Sequence, residues 1–119
     1  MPQFKELEIW KRSRQFCSEI YLISSSFPSD EKFGLTNQLR RAAVSIPSNI
    51  SEGSSRNSNK DFSRFLEIAI GSAYEIETQI LIASDLGFMT ITESEKLVNE
   101  LAEIVKMICQ SKFFITRKS

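Results

Sequence analysis

The chain has 119 residues, 41% of them hydrophobic and 25% charged, and its 15 basic and 15 acidic side chains leave no formal net charge. That length fits one domain, 1–119, with a real core, and the balance excludes the strongly cationic composition of many nucleic-acid binders. There is no histidine, which excludes Ser-His-Asp and Cys-His catalysis and the Glu-x-x-His motif of di-iron bundles.

Helix formers dominate, and four glycines and three prolines are few for this length, so the expected class is all-α. No apolar run approaches the ~20 residues of a membrane span. The opening MPQFKELEIWKRSRQ is charged and lacks the apolar centre of a signal peptide. The expectation is a cytoplasmic protein with no membrane partner. Cys17 and Cys109 are far apart and lie among apolar residues at helical spacing. They read as small buried core residues rather than as a disulfide or a metal pair. No metal, cofactor or enzymatic machinery is expected.

The first helix is expected over 5–27. Leu7, Trp10, Cys17, Ile20, Tyr21 and Phe27 form one apolar stripe, and Ile9, Phe16 and Ile23 form a second. Two stripes imply that more than one face is covered. Lys11, Arg12 and Arg14 form a basic cluster between them, and Pro28 closes the helix.

The second helix, firm from about Thr36, runs through LTNQLRRAAVSIPSNISEG at 35–53. Leu35, Leu39, Ala42, Ala43, Ile46 and Ile50 recur every three or four residues. Pro47 has no N–H for the Ala43 carbonyl, and its ring crowds that oxygen. Because the apolar spacing continues to Ile50, the expectation is one kinked helix, with Ser45, Ser48 and Asn49 placed to compensate. Small Ala42 and Ala43 admit a neighbouring helix closely, and Gly53 is expected to end the helix. Arg40 and Arg41 are adjacent, about 100° apart around the helix. One of them is expected to pair with Glu52 or Glu75; the alternative is that they bind phosphate.

The loop GSSRNSN at 53–59 has no phosphate-loop pattern. Asn57, Ser58 or Asn59 should cap the third helix. Arg56, Lys60 and Arg64 gather at this bend, and Lys60 and Arg64, four apart, share a face. This is the first candidate for contact with an anion or an RNA backbone, and Arg40 and Arg41 complete the candidate set.

The third helix is expected over 60–86, with Phe62, Leu66, Ala69, Ala73, Ile76, Ile80 and Ala83 as its seam. Phe65, Ile68, Ile70, Tyr74 and Leu81 widen that seam beyond one stripe, which points to burial against another subunit. Gly71 and Ser72 lie mid-helix, so a close helix approach is expected there. Glu75 and Glu77 point to different faces and are not an acid/base pair. Gly87 stops the helix, Phe88 and Met89 fold back as an apolar plug, and Thr92-x-x-Glu95 is expected to cap the fourth helix. Leu97, Leu101, Ile104 and Ile108 form the core stripe of that helix, and 116–119 are expected to fray. Short links between long helices give an up-and-down antiparallel four-helix bundle.

The charge is unevenly spread. Residues 1–64 carry ten bases against seven acids, 65–111 two against eight, and 112–119 three bases and no acid. A basic and an acidic side follow, suited to charge-matched self-association or to a local basic surface.

QLRRAAVSIPSNISEG, then Arg56, DFSRFLEIA and GSAYEIET, resemble the signature of the 23S rRNA intervening-sequence proteins, over about 4–113. These are small bacterial four-helix-bundle proteins. The resemblance implies that fold, and implies a homo-oligomeric ring of five subunits. The chain also resembles the accessory proteins of diversity-generating retroelements, which are basic bundles working with RNA or reverse transcriptase, although this chain is neutral. Two readings follow: a non-enzymatic oligomer that binds RNA through a basic surface, and an oligomeric scaffold for a protein partner.

Overall fold

The computed structural model describes residues 3–117. Four helices carry the fold: α1 (Glu8–Ser24), α2 (Leu35–Ser54), α3 (Asn59–Asp85) and α4 (Ile91–Arg117), with single 3-10 turns at Phe4–Glu6 and Ser29–Glu31. Among the described residues there is no strand. The result is an all-α four-helix bundle 46 Å long and about half as wide. α2 packs on α1 and on α3, α4 packs on α3, and α1 and α4 meet least.

α1 is shorter than its apolar pattern. Leu7 is extended at φ −74° and ψ 127°, so the helix begins only at Glu8. At the other end the hydroxyls of Ser24, Ser25 and Ser26 donate to the carbonyls of Ile20, Leu22 and Ile23 at 2.6, 2.6 and 3.0 Å. Such local bonds compete with the backbone ladder, and α1 ends at Ser24. Phe27 then turns inward and is buried beside Phe88, with ring centroids 5.6 Å apart. The two stripes of α1 merge into one broad face. Ile9, Phe16 and Ile20 are buried, Leu7, Trp10, Cys17 and Ile23 pack against them, and of the two stripes only Tyr21 is exposed.

α2 runs unbroken through Pro47 to Ser54. The compensating polar groups centre on Ser45 rather than on the Ala43 carbonyl. The Asn49 amide donates to the Ser45 carbonyl at 2.8 Å and to its hydroxyl at 3.0 Å, and that hydroxyl meets the Ser72 hydroxyl of α3 at 2.8 Å.

Two glycines differ from expectation in what they admit. α2 ends at Ser54, one residue past Gly53, and a Cβ on Gly53 would stand 2.6 Å from the Phe65 Cβ and 3.0 Å from the Phe62 ring. It is a point of close approach between α2 and α3. Gly71 faces open space, with nothing within 4 Å of a Cβ placed there.

α3 ends as its sequence requires. Gly87 takes φ 78°, its N–H donates to the Ser84 carbonyl at 3.0 Å, and the Phe88 N–H reaches back to Ala83 at 2.9 Å. This is the paired-bond Schellman stop that a left-handed glycine permits. It sends Met89 into the core. The chain is therefore ready to re-enter a helix at once, and the earlier of two overlapping Thr-x-x-Glu patterns is used. Thr90, not Thr92, is the cap: its N–H donates to the Glu93 carboxylate at 2.8 Å, and its hydroxyl accepts from the Glu93 N–H at 3.0 Å. Cys109 is exposed and Cys17 half-buried. The expectation of two core thiols therefore fails for Cys109, which lies off the Leu97-Leu101-Ile104-Ile108 stripe.

Candidate nucleic-acid interface

The bend between α2 and α3 is held by a serine. Ser58 is extended, and its hydroxyl accepts the Asp61 N–H at 3.1 Å, which caps α3. The cap sets the first turns of α3 pointing outward from the bend, with Lys60 and Arg64 exposed. Phe65, buried beneath, organises two cations. The Arg56 guanidinium lies 4.8 Å from its ring centroid and that of Arg64 lies 5.6 Å away. Arg56 also pairs with Glu52 at 2.9 Å, one helical turn back.

Lys60 and Arg64 line a cleft of about 660 Å³ together with Asp61, Ser63, Glu67 and Thr116. Its far wall is the last part of α4. Lys112 reaches across to Glu67, with Nζ 3.2 Å from the carboxylate. Arg117 lies over the Phe113 ring at 5.6 Å. Among the described residues no carboxylate pairs with Lys60, Arg64 or Arg117. Lys60 and Arg64 line a cleft whose own acids are Asp61 and Glu67, with Glu67 paired to Lys112, and Arg117 follows the lining residue Thr116 in sequence.

Periodicity alone does not reveal the α4 contribution, because a chain end rich in polar residues is expected to fray from 116 onward. The antiparallel order is the available signal: it places the end of α4 beside the start of α3, and with it the bases at Lys112 and Arg117.

Arg40 and Arg41 stand elsewhere. About 20 Å of helix separates them from the bend, at 1.5 Å per residue. Arg40 pairs with neither Glu52 nor Glu75. Its Nε donates to the Ser24 hydroxyl at 2.8 Å, its terminal nitrogen donates to the Tyr21 carbonyl at 3.1 Å, and its guanidinium covers the Tyr21 ring at 4.6 Å. It is a structural cation at the C-terminal end of α1, where carbonyls lack helical partners. Arg41 is exposed on the outer side of α2. The cluster Lys11, Arg12 and Arg14 disperses into local contacts: Lys11 with Glu8 at 3.4 Å, Arg12 with Glu103 at 2.9 Å, and Arg14 over Trp10 at 5.2 Å.

One other titratable pair marks the surface, in a groove of about 420 Å³ between α1 and α4 that includes Arg12, Phe16 and Ile104. The Glu19 carboxyl faces that of Glu100. Hydrogen bonding to Glu100, partial burial and repulsion from that neighbour push Glu19 up to about 7, against the opposing pull of Lys96 and Arg12. The partners lie 81 positions apart in the sequence, so no local pattern announces them. Among the described residues no group of three or more His, Cys, Asp or Glu is placed to hold a metal ion. No helix there is long and apolar enough to cross a membrane.

Comparison with known proteins agrees with this architecture. A crystal structure of a protein of unknown function from the S23 ribosomal protein family of Bacteroides thetaiotaomicron is similar, with a TM-score of 0.81 and 26% identity, covering 87% of this chain and 94% of that one. Among curated proteins none matches. The family described as 23S rRNA-intervening sequence protein matches residues 5–110, a span that includes α1 to α3 and most of α4. The chain belongs to the 23S rRNA-intervening sequence protein family.

Proposed function

We propose that this chain is a non-enzymatic bundle protein of the cytoplasm that assembles with copies of itself and contacts RNA through its basic end. The observation that carries the reading is the meeting of α3 and α4 at one cleft, lined by Lys60 and Arg64, which have no carboxylate partner among the described residues. Guanidinium and ammonium groups fixed around a groove suit phosphate oxygens. The name of the family, which refers to 23S rRNA, points the same way.

Self-assembly is supported by the outer side of α3. Ile68, Tyr74, Leu81 and Ile82 are all exposed, and Gly71 lies among them on the open face. A single bundle leaves this apolar surface in water. Five subunits is the number implied by the family resemblance.

The test is fluorescence anisotropy of a labelled RNA across a salt series, with sedimentation of the same samples. Affinity should fall steeply with salt, and removing one phosphate-binding cation should flatten the log–log slope by about 0.7 for single strands or 0.9 for duplexes. The triple substitution Arg56→Ala, Lys60→Ala, Arg64→Ala should weaken binding and leave the assembly intact. Absence of binding at low salt would reject RNA as the partner, and a monomer at all concentrations would reject the assembly.

The exposed apolar side of α3, flanked by Glu67, Glu75 and Asp85, also favours a second reading, a scaffold for a protein partner. That reading expects a defined protein retained after nuclease treatment, in an amount that does not respond to the triple substitution.

A further inference from the structure

We infer that the basic end takes a single strand, with one unpaired base stacked on Phe113. This rests on the nucleic-acid reading above, and it adds the form of the strand and the group that selects it. Phe113 is 63% exposed and the adjacent Phe114 60%; Phe114 lines a groove with Leu7, Ile9 and Met107, which leaves Phe113 as the exposed ring beside Arg117. It sits next to Lys112, which reaches across the cleft to Glu67, and one turn before Arg117. Thr116, three residues on, lines the cleft with Lys60 and Arg64. The Arg117 guanidinium is over the ring at 5.6 Å.

A planar base laid on the opposite side of that ring would complete a base–phenyl–guanidinium stack. The strand's phosphates would run along Lys60 and Arg64. This pairing of a cationic rail with an exposed aromatic is the physical basis of sequence-tolerant single-strand binding. A duplex offers the same phosphates, but its bases are already stacked on each other and cannot reach Phe113. The exposed Phe33 is a natural control. It lies in the loop at the other end of the bundle, close to Asp30 and Glu31, and carries only Lys32 over its ring. Phe113 lies beyond residues 5–110, so the match to the family does not account for it.

Anisotropy titrations of the full chain would use three labelled probes: a short unstructured RNA, an abasic strand of equal length and charge, and a blunt duplex. The unstructured strand should bind about tenfold more tightly than the abasic one, the scale of one base stacked on an aromatic ring. The duplex should bind no better than the abasic strand. Phe113→Ala should remove that advantage, with unchanged affinity for the abasic strand and an unchanged salt slope, while Phe33→Ala should behave as wild type. Equal binding of base-bearing and abasic strands by the wild-type chain would overturn the stacking inference and leave the phosphate reading standing. Failure to bind any of the three probes at low salt would remove both. The comparison of strands on the wild-type chain needs no variant to fold.

Discussion

Along the seam between α2 and α3, backbone approaches side chain so closely that Gly53 leaves no room for a Cβ beside Phe65. Along the seam between α1 and α4, the polar contacts are an exposed ion pair, Arg12 with Glu103, and the facing carboxyls of Glu19 and Glu100, over an open groove. The first seam gains from apolar packing, which simple salt does not screen. The second gains from charges half in water, where each pair is worth about 0–1 kcal/mol and is screened by salt. The bundle is thus a firm α2–α3 hairpin, with α1 held chiefly from the α2 side and α4 from the α3 side.

Gly53→Ala strikes the first seam and should have the largest effect. Alanine gains about 1 kcal/mol of helix propensity over glycine. Its Cβ, however, would meet the Phe65 Cβ at 2.6 Å, and that atom is fixed to the backbone of α3 and cannot swing away. A contact this short with a fixed atom belongs at the upper end of the about 1–3 kcal/mol that overpacking costs, so a net loss of about 2 kcal/mol is expected in urea unfolding. A neutral or stabilising result would mean that α2 and α3 stand further apart than described.

The next test asks which flank anchors α1. Arg40→Ala removes two hydrogen bonds to the end of α1 and the cover on Tyr21. It should cost about 1–2 kcal/mol. Arg12→Ala, on the other flank, removes an exposed pair and should cost less than about 1 kcal/mol. Equal losses from the two substitutions, measured under one set of conditions, would erase the asymmetry.

Gly71 provides the opposite sign on the same helix as the tight seam. With nothing within 4 Å of a Cβ, Gly71→Ala should stabilise the bundle by about 0.5–1 kcal/mol through helix propensity alone. A loss instead, accompanied by weaker sedimentation of the assembly, would place Gly71 at a close approach between subunits.

The contrast between Gly53 and Gly71 also shows what the sequence could convey. Periodicity locates four helices and nearly every core position from Leu39 to Ile108, because a 3.6-residue repeat of apolar side chains is local information. The bend with Arg56, Lys60 and Arg64 is legible for the same reason. A glycine in a helix, by contrast, is read in the same way whether it ends the helix, admits a neighbour or faces water, since the distinction depends on residues from another helix. Arg40 invites pairing with an acid, yet its true partners are a hydroxyl and a carbonyl on α1, groups that carry no charge to signal them. The overlapping Thr90 and Thr92 boxes differ by only two residues, and the choice between them falls to the Gly87 turn and the burial of Met89.

The weaker seam should respond to pH, by the smallest of these effects. The Glu19 carboxyl is held at about 7 in the folded chain, above the 4.5 of an ordinary glutamate. Between those values the folded chain keeps a proton that the unfolded chain has released. Stability attributable to this group therefore falls as pH rises through that window and is lost above about 7. Glu19 is largely solvated, so the change is held to the few tenths of a kcal/mol typical of exposed pairs. Glu19→Gln keeps a donor for Glu100 and carries no charge. It should remove the decline between about pH 5 and 8 and leave the variant slightly the more stable of the two at about pH 8. Urea midpoints of wild type and variant across that range provide the check. A wild-type midpoint that does not move, or one that rises with pH in the wild type and not in the variant, would mean that Glu100 does not raise Glu19 and that Arg12 with Glu103 is the polar contact that matters at the α1/α4 seam.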